Sequence, residues 1–161
     1  VVGDRAVAVW AVGGTMGSSH RRHGGIVMEF KLELVFVPVS DVDRAKAFYA
    51  DQVGFHVDHD QRVSDELRFV QLTPPGSACS IAIGEGLIDT VPGSLKGLQV
   101  VVDDADAARA FLVEHGVEAS PVQDLAWGRF TGFTDPDGNE WTIQQLPEWS
   151  QARQAAAAGT D

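Results

Sequence analysis

Hydrophobic and polar positions along this chain change period in the same way at two places. Residues 30–39 form an extended apolar-rich run of strand length. From 41 onward the apolar positions become Val42, Ala45, Phe48 and Tyr49, which is the spacing of one helix face. At a constant offset of 63 residues the change recurs, with a strand over 97–102 and then Ala105, Ala108, Phe111 and Leu112. Val37 and Val100, Asp41 and Asp104, Asp43 and Asp106, and Phe48 and Phe111 coincide in the two copies. Glycine and proline turns then divide the remainder into strands over 55–63, 66–73 and 80–84 in the first copy, and over 117–123, 128–134 and 140–145 in the second. Ser40 with Asp43, and Asp103 with Asp106, stand three apart and read as capping boxes; Tyr49 falls on the buried stripe. The pattern predicts an α+β fold of two tandem β-α-β-β-β modules, at about 29–86 and 95–146, forming a curved mixed sheet around a cleft suited to a small ligand.

Composition narrows this picture. A chain of 161 residues with 44% hydrophobic content supports one well-buried domain, so both modules belong to a single unit over 28–146. The Gly-rich stretch 1–27 is expected to be a disordered extension, its His20 and His23 included, and 147–161 a tail. A net charge of -11 argues against a nucleic-acid face and is compatible with a cationic ligand. Cys79 is the only cysteine, which excludes an intrachain disulfide, fits a reducing compartment and, by its alternation with Ile81 and Ile83, predicts a buried structural thiol. No apolar run approaches the ~20 residues of a membrane span, and the expected location is cytoplasmic. His56, Asp58 and Asp60 share one strand face and read as a solvated surface, whereas His115 falls where it meets a helix dipole.

The run from Val39 through Asp43 to Tyr49, then Val53-Gly54-Phe55, then Asp135-Pro136-Asp137-Gly138-Asn139, resembles the vicinal oxygen chelate superfamily over about 29–146. That family includes glyoxalase I, extradiol dioxygenases, fosfomycin-resistance enzymes and bleomycin-binding resistance proteins. The resemblance implies that metal-dependent members hold a divalent ion through His, Gln or Glu on the first and last strands of the modules. Carried over, those positions are Leu34, Ala82, Gly97 and Thr142, none of them a usual side-chain ligand. The expectation is therefore no metal and no cofactor.

A cleft remains. Strand alternation points Leu34, Phe36, Ala82, Gly97, Gln99 and Thr142 into it, with Glu140 and Gln144 on the same face as Thr142; Trp127 is a candidate aromatic wall. Apolar walls with a few hydrogen-bonding groups suit a small organic ligand. Two functions stay open. One is a metal-free protein of the bleomycin-resistance type that sequesters a natural product, in the manner of bacterial antibiotic resistance. The other is an enzyme of the same superfamily, an isomerase, lyase, dioxygenase or tailoring enzyme, with Glu140 as its candidate acid or base. A homodimer is expected, with no nucleic-acid and no membrane partner.

Overall fold

The structure, a computed structural model, describes residues 28–150, so the expectations for 1–27 and for most of the tail lie outside the described residues. The first module runs β1 (Leu34–Phe36), α1 (Val42–Ala47), a π-helical turn (Phe48–Gln52), β2 (His56–Ser64), β3 (Leu67–Thr73) and β4 (Ser80–Glu85). The second runs β5 (Leu98–Val102), α2 (Ala105–Glu114), β6 (Gln123–Leu125), β7 (Gly128–Thr134) and β8 (Glu140–Gln145). Each module forms a four-stranded mixed sheet, ordered β1-β4-β3-β2 and β5-β8-β7-β6. The outer pairs β1–β4 and β5–β8 are parallel and the remaining pairs antiparallel.

Three local expectations are corrected. The first strand is three residues rather than ten, because its partner β4 begins at Ser80, after the Pro74-Pro75-Gly76 turn, and pairing ends there. Met28, Phe30 and Leu32 are left exposed, Phe30 at 91%. The 117–123 strand reduces to one bridge, Ala119 to Phe133, followed by β6; Pro121 between them has no N–H to give a ladder. The helix caps lie one residue later than the capping boxes place them. Asp41 accepts from Arg44 N at 2.9 Å, and Asp104 accepts from Asp106 N and Ala107 N at 2.8 and 3.0 Å, both from extended backbone.

One face of each sheet packs on the helices. Val37, Val70, Leu72, Ile81 and Ile83 supply it in the first module, and Trp141, Ile143 and Phe133 in the second. An aromatic cluster joins the two: Tyr49 stacks on Phe55 at 5.7 Å between centroids, and Phe133 on Trp141 at 5.8 Å. Tyr49 is fully buried, donates to Asp135 Oδ2 at 2.8 Å and accepts from Trp141 Nε1 at 3.1 Å. Burial, and then the charge of Asp135, push its phenol far above the ordinary range. The 135–139 turn fastens the modules together. Asp135 Oδ1 accepts the backbone N–H groups of Asp137, Gly138 and Asn139, while Asn139 Nδ2 donates to Pro38 O at 2.8 Å and Asn139 Oδ1 accepts from Leu95 N at 3.1 Å. Pro38 follows β1 and Leu95 precedes β5, so one turn ties the entries of both modules.

Candidate functional site

The faces turned away from the helices carry the candidate site. In the first module Phe36 pairs with Ala82, and Ala82 with Gln71 across β3; Leu34 pairs with Ser80 in the next row. Ala82 is fully buried. The segment after β4 accounts for part of that: Leu87, Ile88 and Thr90 join Phe36, Ala82 and Gly84 around a cavity of only about 30 Å³. A Cβ on Gly84 would meet Leu87 Cδ1 at 2.4 Å and Arg68 O at 2.0 Å, so this glycine allows the segment to lie close. The opening here has the volume of roughly one water.

The second module is more open. Gln99 pairs with Thr142, and Thr142 with Gly132. Gln99 Nε2 donates to Gln144 Oε1 at 2.5 Å, and Gln144 Nε2 donates to Trp127 O at 2.9 Å. This relay of carboxamides fixes the β6–β7 turn and holds Trp127 with its side chain largely in solvent, 60% exposed. Thr142, Glu140, Gly132 and Thr134 line an open groove of about 890 Å³ that reaches round the sheet to Arg109 and Val113 of α2 and is bounded also by Val117, Ala119 and Ser120, so it does not lie on the helix-free face alone. Glu140 forms an ion pair with Lys96 at 2.8 Å on the exposed rim. Gly97 stands just before β5 at φ +85°, with no atom within 4 Å of an added Cβ; its backbone conformation, rather than crowding, calls for glycine. Thus Phe36 and Ala82 meet in one small cavity, Glu140 and Thr142 share the groove, and Gln99 reaches Trp127 through Gln144. The residues of the two modules line separate openings.

A polar row runs across the same face of the first sheet. His56 Nδ1 lies 3.0 Å from Asp58 Oδ1, Thr73 Oγ1 donates to Asp58 Oδ2 in a short bond and lies 2.6 Å from Ser80 Oγ, and Gln71 Nε2 donates to Ser80 Oγ at 3.0 Å. Asp58 joins this row through a β-bulge: Val57 pairs with Leu72 and His59 with Gln71, so Asp58 is the extra residue. His56 and Asp58 meet as their expected shared face requires, but Asp60, expected on that face too, is turned by the bulge to the opposite side, where it pairs with Val70 and bonds Lys46 and Arg68. The bulge and the partners on β3 and β4 leave no trace in the sequence.

The positions inherited from metal-dependent relatives do not fit a divalent ion. Leu34, Ala82 and Gly97 have no side-chain lone pair, and Thr142 offers one neutral hydroxyl. Among the described residues no group of three or more His, Cys, Asp or Glu side chains is placed to hold a metal ion. Hydrogen bonds from Arg68 and then Lys46 hold Asp60 far below the carboxylate range. Cys79 is half-buried beside β4, and burial, then Glu33, raises its thiol, the opposite of what activates a nucleophile. No helix among the described residues is long and apolar enough to cross a membrane.

With this geometry in hand, the matches to known proteins are consistent along the chain. The family described as Glyoxalase/Bleomycin resistance protein/Dioxygenase superfamily matches residues 31–143, and the chain belongs to it. Among solved structures, TnmS3, an antibiotic binding protein from Streptomyces sp. CB03234, is 37% identical, with a TM-score of 0.69 over 75% of this chain and 99% of that one. A glyoxalase/bleomycin resistance protein from the same organism is 39% identical, with a TM-score of 0.64 over 71% of this chain and 100% of that one. YetH of Bacillus subtilis (strain 168) is 27% identical over 115 residues, 69% of this chain and 94% of that protein.

Proposed function

We propose that this protein binds a small, antibiotic-like organic molecule and sequesters it without chemical change and without a metal ion. The observation that carries the reading is the second-module face: Gln99, Gln144 and Thr142 share it, and the Gln99–Gln144 relay holds the backbone carbonyl of Trp127, a residue whose side chain is exposed beside it. Large aromatic surface with a few fixed polar groups is what an organic ligand requires. The similarity to an antibiotic binding protein at 37% identity supports it. The enzyme reading is weaker, because its candidate acid, Glu140, is an exposed rim carboxylate already paired with Lys96. The working form we propose is a homodimer, in which a second copy covers Phe30 and Leu32.

The test is a thermal-shift panel of polycyclic antibiotics against the wild type and Gln99→Leu. At least one compound is expected to raise Tm, and Gln99→Leu, folded by its own unfolding transition, to lower that compound's affinity about fivefold, the worth of one net hydrogen bond. A panel with no stabilising compound, or a stabilising compound indifferent to Gln99→Leu, would count against this site.

A further inference from the structure

The two modules keep one strand position under different cover. Phe36 and Gln99 stand at the same place in the repeat, and each pairs with a residue of its module's last strand, Ala82 and Thr142 respectively. Thr142 faces the open groove. Ala82 is fully buried, and what closes over it is no part of the sheet but the segment leading from β4 to the second module, through Leu87, Ile88 and Thr90.

That segment is fastened at its ends and loose between them. Gly86 turns out of β4 at φ +68°, where an added Cβ would lie 2.4 Å from Glu66 O. Gly93 closes the segment at φ +76°; its N–H donates to Pro38 O at 3.1 Å, and an added Cβ would lie 1.9 Å from Asp137 O. From Leu87 to Thr90 no main-chain or side-chain group has a hydrogen-bond partner among the described residues. Leu87 rests on Gly84, whose missing side chain leaves room for it, and Leu87 and Ile88 are both half-buried. Two apolar side chains therefore hold the span on the sheet, and no hydrogen bond breaks when it lifts. No charged residue lines the space beneath it.

We infer that residues 87–92 are a strap over a ligand subsite: it lifts from the first sheet, and an uncharged planar ring of the ligand takes the place of Leu87 and Ile88 against Phe36 and Ala82. The inference rests on the proposal that this protein binds an organic molecule, and it names the part of the ligand that the first module takes and the element that admits it. With the strap down the space holds roughly one water, so a ring enters only the lifted form. The ring and the strap compete for one apolar surface, and affinity is lowered by the fraction of molecules in which the strap is up. With that form populated on the order of 10%, the strap weakens binding about tenfold.

The test uses the full chain and the uncharged planar dye Nile red, whose fluorescence rises in apolar surroundings. Leu87→Ser with Ile88→Ser keeps the strap and removes its hold. Folded by its own unfolding transition, this variant is expected to bind the dye about tenfold more tightly than the wild type. Adding Ala82→Leu refills the uncovered space and is expected to abolish the gain; a gain that survives it places the dye elsewhere and overturns the subsite. Opening itself is read from a thiol under the strap, in Cys79→Ala with Ala82→Cys. Its reaction with 4,4′-dithiodipyridine is expected to be independent of urea well below the unfolding transition, the mark of a local opening that exposes little surface. A rate that climbs steeply from the lowest urea, as global unfolding requires, overturns the strap. So does equal dye affinity in the wild type and the double-serine variant; if Gln99→Leu then weakens the dye, the binding proposal stands on the second module alone. A dye that binds neither protein overturns the subsite, while the binding proposal is judged by its own antibiotic panel.

Discussion

At the scale of single residues, Tyr49 illustrates how a sequence position becomes structural. Its helical spacing marks it as core, but the groups that satisfy its hydroxyl, Asp135 and Trp141, lie 86 and 92 residues away and no local pattern announces them. Tyr49→Phe removes the hydroxyl and leaves Trp141 Nε1 without its partner and Asp135 with one donor fewer. Urea unfolding is expected to show a loss of about 1–3 kcal/mol with ligand affinity unchanged. Asp60 gives a second case, with a pH signature. Arg68 and then Lys46 depress its pKa in the folded state, so its contribution is present above the ordinary value of 3.8 and is lost as pH falls below that toward the folded value. Asp60→Asn should therefore be less stable than wild type near neutral pH and should lose less stability on acidification, measured by unfolding across that range. The His56–Asp58 pair was legible only as a shared strand face. The bulge at Asp58 reverses the alternation beyond it, so Asp60 leaves the face that His56 and Asp58 share.

Secondary-structure elements were legible where periodicity and pairing agree. Both helices and β3, β4, β7 and β8 follow their hydrophobic patterns, because each packs an apolar stripe or face on the core, whereas β2 forms where expected but is exposed apart from Val57. The overextended first strand and the 117–123 strand share one cause: an apolar run describes a wish for burial, whereas a strand also needs a neighbour for its N–H and C=O groups. Residues 28–32 have no paired strand among the described residues, and Pro121 breaks the other run. Caps are harder still, since acidic residues occupy both 103 and 104. Only Asp104 accepts from the first-turn backbone. Asp104→Ala is expected to cost about 1 kcal/mol and Asp103→Ala less than about 0.5, by chemical denaturation of the two variants.

For the whole molecule, the internal repeat made the two-module architecture readable, since a motif that recurs at constant offset folds twice by the same physics. The tie between the modules was less accessible: the 135–139 turn reads as a tight turn from its composition, but its hold on Pro38 and Leu95 is a tertiary fact. The exposed Met28, Phe30 and Leu32, together with the free edges of β1 and β5, are what a dimer would cover. Light scattering is expected to give a dimer mass, and replacing Phe30 and Leu32 with serine to shift it toward monomer; a wild type that is monomeric at every concentration contradicts the homodimer. The site was legible as a set of faces and not as a pocket, because the openings depend on the course of residues 87–90 and 117–120, which strand alternation does not describe. The most direct test of sequestration is to saturate the protein with an antibiotic that stabilises it, remove the free compound, and measure the mass and amount of what denaturation releases. The account predicts about one molecule per chain, released with its mass unchanged; a product of altered mass, formed in molar excess over the protein, would show that the bound compound is a substrate instead.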